Sequence, residues 1–177
     1  MLKKTLDYII NVIQAPHREV SMPQGLTWEE VGLTFVIISF VVYFFNGLAT
    51  GPAGFLMVFP FAVVGTIFNG ILCLVILGLV MLALKVMNFT VNFKDLTETF
   101  LTALVPAYLL FIAFTFFNVF IGSLDLAFFI GLITSVLTGF LFFLGLKGRF
   151  AIPQNKAAIV AIVVILILII PGFYQNR

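Results

Sequence analysis

Long stretches without a charge dominate the chain: residues 31–84, 99–124, 126–146 and 157–176 contain no Asp, Glu, Lys or Arg. A spanning helix needs about 20 mostly apolar residues, and a charge at mid-bilayer costs roughly 2.5–3.5 kcal/mol or more, so each stretch marks a place where lipid is the solvent. The three shorter stretches hold one span each. The first holds two, because Gly47, Gly51, Pro52 and Gly54 interrupt it with a turn. The pattern predicts five spans, at about 31–48, 60–84, 99–121, 126–146 and 156–173. Apolar residues fill nearly every position within them, whereas a transmembrane β-strand would alternate in polarity, so the spans are helices. Residues 54–60 are expected to form an outer interfacial or re-entrant lead-in, with Pro60 near the point where the chain turns inward. The alternative there is one long tilted helix from Phe55 to Lys85.

Ahead of the first span the pattern changes. On a helical wheel Leu2, Leu6, Ile9 and Ile13 gather on one side, and Lys3, Lys4, Asp7, Asn11 and Gln14 on the other. Such a helix lies on the membrane surface with its lysines near anionic lipid, and Pro16 ends it. It serves as a passive anchor for the first span or, less simply, as a lipid-sensing or partner-docking element. Thr27-Trp-Glu-Glu30 has the capping-box spacing that starts a helix, and Trp28 suits the headgroup zone. Residues 1–30 thus read as a cytoplasmic helix and linker, and residues 31–177 as a single transmembrane domain.

Composition agrees with this solvent assignment. Of 177 residues, 63% are hydrophobic and 9% charged, with a mean hydropathy of +1.26, against about 45–50% and about 25% in a soluble domain. The basic residues fix the direction, because Lys and Arg in short loops stay on the cytoplasmic side. Five spans from a cytoplasmic N-terminus place Lys3, Lys4, Arg18, Lys85, Lys94, Lys147, Arg149 and Lys156 inside and only Arg177 outside. A sixth span over residues 55–68 would leave four inside and five outside. The C-terminus is therefore expected outside.

Catalytic chemistry is sparse. The chain has one His and one Cys: His17 is expected in a solvated connection and Cys73 as a packing residue inside the second span. No nucleophile meets a base and no donor set meets a metal, so no catalytic, cofactor-binding or metal-ligating residue is expected, and the chain does not read as an enzyme. All seven acids, Asp7, Glu19, Glu29, Glu30, Asp95, Glu98 and Asp125, are placed at or outside the interface, which argues against an ion-coupled pump. An uncharged pathway lined by Thr34, Ser39, Thr66, Asn69, Thr102, Thr115, Asn118, Thr134, Ser135 and Thr138 is conceivable, although such hydroxyls readily bond their own helix carbonyls. Neither nucleotide nor nucleic-acid binding finds a motif.

Packing signals are clearer. Gly131, Ser135 and Gly139 recur every four residues in the fourth span, a spacing that lets another helix approach closely. They serve either a partner interface or, by preference, contact within the bundle, and Ala157 and Ala161 form a shorter pair in the fifth span. Pro106 removes a backbone donor in the third span and is expected to kink it.

Three stretches carry a resemblance. Tyr8-Ile-Ile-Asn-Val-Ile-Gln-Ala-Pro16, the segment from Asn92 to Pro106 with its polar entry and internal proline, and the basic segment from Leu144 to Ala158 together resemble the Yip1 family of five-span membrane proteins. The resemblance implies an all-α integral membrane bundle with a cytoplasmic N-terminus. Eukaryotic members act in vesicle traffic and engage Rab GTPases with the help of a long acidic and aromatic N-terminal region that this chain lacks, so Rab binding is not implied. The short form is similar to the prokaryotic members and implies a bacterial cytoplasmic membrane.

The expected role is a non-enzymatic scaffold or accessory protein assembling with other membrane proteins or with itself. The rival is a small channel or permease for an uncharged or amphipathic solute. For the topology itself, reporters fused to the two ends should be active on opposite sides of the membrane; activity in one compartment would exclude an odd number of spans.

Overall fold

The structure is a computed structural model that describes residues 2–22, 24–49, 55–121 and 124–175, with side chains except at 49, 55, 56, 118–120, 124, 125, 127 and 170–175. Of the turn expected over residues 46–54, residues 46–49 are helical, and residues 50–54, the side chains of Asn118 and Asp125, and Arg177 lie outside the described set. Seven helices are described: α1 (Leu2–Gln14), α2 (Pro16–Glu19), α3 (Trp28–Ala49), α4 (Phe55–Val86), α5 (Phe93–Ile121), α6 (Leu124–Arg149) and α7 (Gln154–Gln175). Four of them are long and apolar enough to cross a membrane, over Trp28–Leu48, Met57–Val86, Phe93–Phe117 and Phe128–Arg149. The apolar part of α7 that is described in full, Gln154–Ile169, is shorter.

Two of the long helices, α3 and α4, carry a terminal device that can be named residue by residue. At the start of α3 the Thr27 amide donates to Glu30 Oε2 at 2.8 Å and the Glu30 amide donates to Thr27 Oγ1 at 3.2 Å, the reciprocal capping box. At the end of α4, Asn88 takes a left-handed conformation with φ of 65°, and the Phe89 amide bonds back to the Leu84 carbonyl at 2.9 Å. A residue that tolerates this conformation satisfies carbonyls that the helix end would otherwise leave unpaired.

Helix α4 corrects the expectation for residues 54–60. It is continuous from Phe55 with Pro60 inside it, so from Phe55 onward there is no re-entrant turn. In hydrocarbon each unpaired backbone group costs several kcal/mol, and one missing proline N–H is a smaller loss than the exposed backbone of a turn.

Helix α3 packs along α4 and α5, and α6 along α5 and α7. The main core lies toward the end where α1 sits and includes Ile76, Leu77, Leu84, Phe100, Phe142 and Leu146. Phe100 and Phe142 meet edge to face, with centroids 5.4 Å apart. Outward faces are apolar too: Phe59, Val64, Ile67, Phe68, Ile71, Leu74 and Leu82 of α4 are all exposed, as side chains solvated by lipid would be.

The N-terminal segment is built into this core. Three sides of α1 differ: Thr5, Tyr8 and Val12 are buried against the bundle, Leu2, Leu6, Ile10 and Ile13 are exposed, and Lys3, Lys4, Asp7, Asn11 and Gln14 are exposed and polar. The connector that follows buries Val20 and Leu26 at 1% and 2% exposure. Two glycines of α6 make room for it. A Cβ at Gly145 would meet Val20 at 3.0 Å and overlap Thr99, and one at Gly148 would meet Ser21 at 2.8 Å.

Gly145→Val should therefore lower stability by about 1–3 kcal/mol, as overpacking does, in thermal unfolding of the purified protein. Gly78→Ala, where an added Cβ meets nothing within 4 Å, should be neutral or stabilising by up to about 1 kcal/mol.

Candidate functional site

Two places hold polar groups inside the bundle, and they differ in kind. The first is at the α1 end, where α5 carries Asp95 and Glu98 one turn apart and α6 ends on Arg149. The Arg149 guanidinium, 5% exposed, donates from Nη2 to Asp95 Oδ1 at 2.9 Å and to Glu98 Oε2. Glu98 is itself 1% exposed. Its other oxygen, Oε1, accepts the Leu26 amide at 3.1 Å, so both lone-pair-bearing ends of the carboxylate are engaged. One turn further on, Thr102 donates to the Glu98 carbonyl at 2.7 Å and its hydroxyl pairs with the Tyr8 phenol of α1. Burial holds the Tyr8 phenol well above its ordinary pKa, so it stays protonated. Lys4 of α1 adds an ion pair with Glu30 at 2.9 Å.

These contacts add partners that the sequence did not show. Glu98 and Glu30, expected at or outside the interface, are buried against the protein near the starts of α5 and α3, and Arg149, counted among the loop cations, pairs with two acids. The spacing of Asp95, Glu98 and Arg149 gave no warning, since acid and base come from different helices 51 residues apart. The cluster joins α5, α6 and the connector.

The second place is a cavity of about 370 Å³ among α3, α4, α5, α6 and α7, in the half of the bundle away from α1. Its size falls in the usual range of small-molecule sites, about 300–1,000 Å³. Leu72, Leu104, Phe111 and Leu168 supply apolar walls, and Asn69, Tyr108, Thr134, Ser135 and Thr138 a polar flank. Asn69 Nδ2 donates to Ser39 Oγ at 3.0 Å and to the Tyr108 hydroxyl at 2.7 Å, and that hydroxyl lies 3.0 Å from Asn69 Oδ1. The network fixes α3, α4 and α5 around the cavity at mid-helix. Leu104 belongs both to the cavity wall and to the main core that contains Phe100 and Phe142.

The packing candidates fall around this cavity. Gly131 and Ser135 line it, and a Cβ at Gly131 would meet nothing within 4 Å. Gly139 lies against α7, where a Cβ would overlap Ile165 and come within 3.3 Å of the Ala161 carbonyl. Ala157 and Ala161 are buried on the α7 side. Pro106 precedes Ala107 and Tyr108, both cavity-lining, in a helix that continues through it. Of the pathway candidates, Asn69, Thr115, Thr134, Ser135 and Thr138 line the cavity, whereas Thr34, Thr66 and Thr102 donate to the carbonyls of Glu30, Ala62 and Glu98. Tyr43, Asn46 and Tyr108 also line it and were not among the sequence candidates.

Cys73 is 6% exposed within the main core, its thiol one turn from Asn69, and His17 is exposed on α2. Among the described residues, no three His, Cys, Asp or Glu side chains gather as a metal site would require. Comparison of the chain with protein-family models, with curated proteins and with solved structures finds no match.

Replacing Arg149 with Met should cost about 3–5 kcal/mol, because Glu98 would be left buried and unpaired. Adding Glu98→Gln should recover part of that loss. A double-mutant cycle on thermal unfolding measures the coupling, and additive losses would show that the pair does not interact.

Proposed function

We propose that this chain is a non-enzymatic, five-span membrane protein that binds an uncharged, amphipathic molecule inside its bundle, a member of the permease class. The cavity carries the reading: it is of ligand size, lined by apolar side chains and by uncharged polar groups on several walls, and lies among helices apolar enough to cross a membrane. Among the described residues no Asp, Glu, Lys or Arg lines it, so a charged solute would find no counter-ion among them, at the cost that hydrocarbon imposes on bare charge. The packed aromatic core toward α1 closes the route at that end, and passage through the bundle requires that core to part. Binding requires no such motion.

In this reading α7, described as helical over Gln154–Gln175, is the fifth span. Its 22 residues at 1.5 Å each make about 33 Å, enough for a core about 30 Å thick. The N-terminus is cytoplasmic, the C-terminus is outside and the membrane is the bacterial cytoplasmic one, on the strength of the basic residues and the Yip1-like stretches. Exposure of Leu2, Leu6, Ile10 and Ile13 beside a polar face supports α1 lying in the headgroup boundary, with one side on protein, one on lipid and one on water. Assembly with other membrane proteins or with itself needs a surface other than the Gly131, Ser135 and Gly139 stripe, because α7 and the cavity use those residues within the bundle.

The test is a cavity-filling variant. In lipid nanodiscs, at least one of a panel of uncharged amphipaths such as 1-octanol, octanamide and a short monoacylglycerol should raise the Tm with dose. Gly131→Leu, whose side chain enters open space, should fill the cavity and abolish that response, each protein being read against its own basal Tm. If no panel member distinguishes the two proteins, the reading is wrong.

A further inference from the structure

The hydrogen-bonding sense of the cavity wall narrows the ligand. Every hydroxyl of α6 that faces the cavity already spends its proton on its own helix. Thr134 Oγ1 donates to the Ile130 and Gly131 carbonyls, both at 3.0 Å, Ser135 Oγ to the Gly131 carbonyl at 2.8 Å, and Thr138 Oγ1 to the Thr134 carbonyl at 2.9 Å. A hydroxyl in that state keeps its lone pairs and has nothing left to donate. Across the cavity the pattern repeats. Both protons of the Asn69 amide go to Ser39 and Tyr108, and the Tyr108 hydroxyl turns its own toward Asn69 Oδ1.

We infer that the site selects ligands by a donated hydrogen bond: its occupant is an uncharged molecule with a hydroxyl or N–H group on an apolar body, seated with that proton against Thr134, Ser135 and Thr138. This rests on the cavity being a binding site. Water or an alcohol satisfies the wall, whereas an ether, ester or ketone of the same shape brings lone pairs against lone pairs and leaves the wall desolvated without a partner. Tyr43, Asn46 and Thr115, on the remaining sides, work in either sense and so do not discriminate. The inference therefore concerns the α6 wall, and only ligands that reach it are sorted.

Two isomers separate the possibilities. 1-Octanol and 1-methoxyheptane have the same atoms and nearly the same shape, and only the first donates. With the full-length protein in nanodiscs, and Gly131→Leu subtracting the effect of each solute on the bilayer, the dose dependence of the Tm gives an apparent affinity for each. The alcohol should bind at least about fivefold more tightly, in line with one net hydrogen bond. That preference should shrink in Thr138→Val, which keeps the shape and removes the acceptor, and in Ser135→Ala. Equal affinities, or a tighter ether, in a protein whose response still vanishes in Gly131→Leu would overturn the donor rule and leave the binding site standing. No response to either isomer would overturn the donor rule as stated, and silence from the whole panel would remove the binding site as well. A preference that persists undiminished in Thr138→Val and Ser135→Ala would also overturn it, since the discriminating acceptors would lie elsewhere.

Discussion

Hydrocarbon offers no hydrogen bond to anything, and each polar group that enters it must bring its own partner. Backbone groups answer by helix formation, which is why the long apolar segments are helices even where a proline stands inside, as in α4 and α5. Side chains obey the same constraint. The hydroxyls of Thr34, Thr66, Thr97, Thr99, Thr102, Thr134, Ser135 and Thr138 all donate to a carbonyl one turn back. What they leave over, a set of lone pairs with no protons, gives the cavity its chemical character.

Under that constraint the two ends of the bundle have gone different ways. Toward α1, large side chains interdigitate and most polar groups close on one another, the buried Thr5 hydroxyl having no partner among the described residues. Glu98 meets Arg149 and the Leu26 amide, Tyr8 meets Thr102, and Lys4 meets Glu30. A buried ion pair seldom stabilises a fold more than apolar packing of the same volume would, but it is strict about geometry, since either charge alone would be severely destabilising. Here that strictness sets the register of α5 against α6 and pins the connector that carries α1. Away from α1, Asn69, Ser39 and Tyr108 tie α3, α4 and α5 together at mid-helix, and beyond them small residues of α6 leave space unfilled.

Most of the helical architecture was legible from where charges are absent, because the cost of burying charge in lipid is large and local. The capping box at Thr27 and Glu30 was legible because it depends on residues three apart. The Arg149 cluster was not, since it depends on how two helices meet. Counting cations by loop still assigns Arg149 to the correct end of the bundle, yet says nothing of its partners. The small-residue stripe was visible as a spacing, but spacing cannot say what fills it: α7 lies on Gly139, whereas Gly131 faces empty space. Pro60 was read as lying near a turn, with one long helix from Phe55 to Lys85 as the alternative, and the structure has the long helix. In lipid the same proline is carried within the helix.

Why the space beside Gly131 stays open follows from the same reasoning. Closing it with apolar side chains would press hydrocarbon onto the lone pairs of Thr134, Ser135 and Thr138 and onto the Asn69 and Tyr108 pair, desolvating acceptors that have no further donor within the bundle. A fully packed interior needs polar groups that satisfy one another in full, as Glu98, Arg149 and Leu26 do, or none at all. The cavity flank does neither. Its acceptors are half satisfied, and a half-satisfied wall in a water-poor setting is stable only with a donor brought from outside, whether water or ligand. The polarity of the flank and the emptiness beside it are thus one property of the fold, and the chemistry of the missing partner is set by which half of each hydrogen bond the helices have already used.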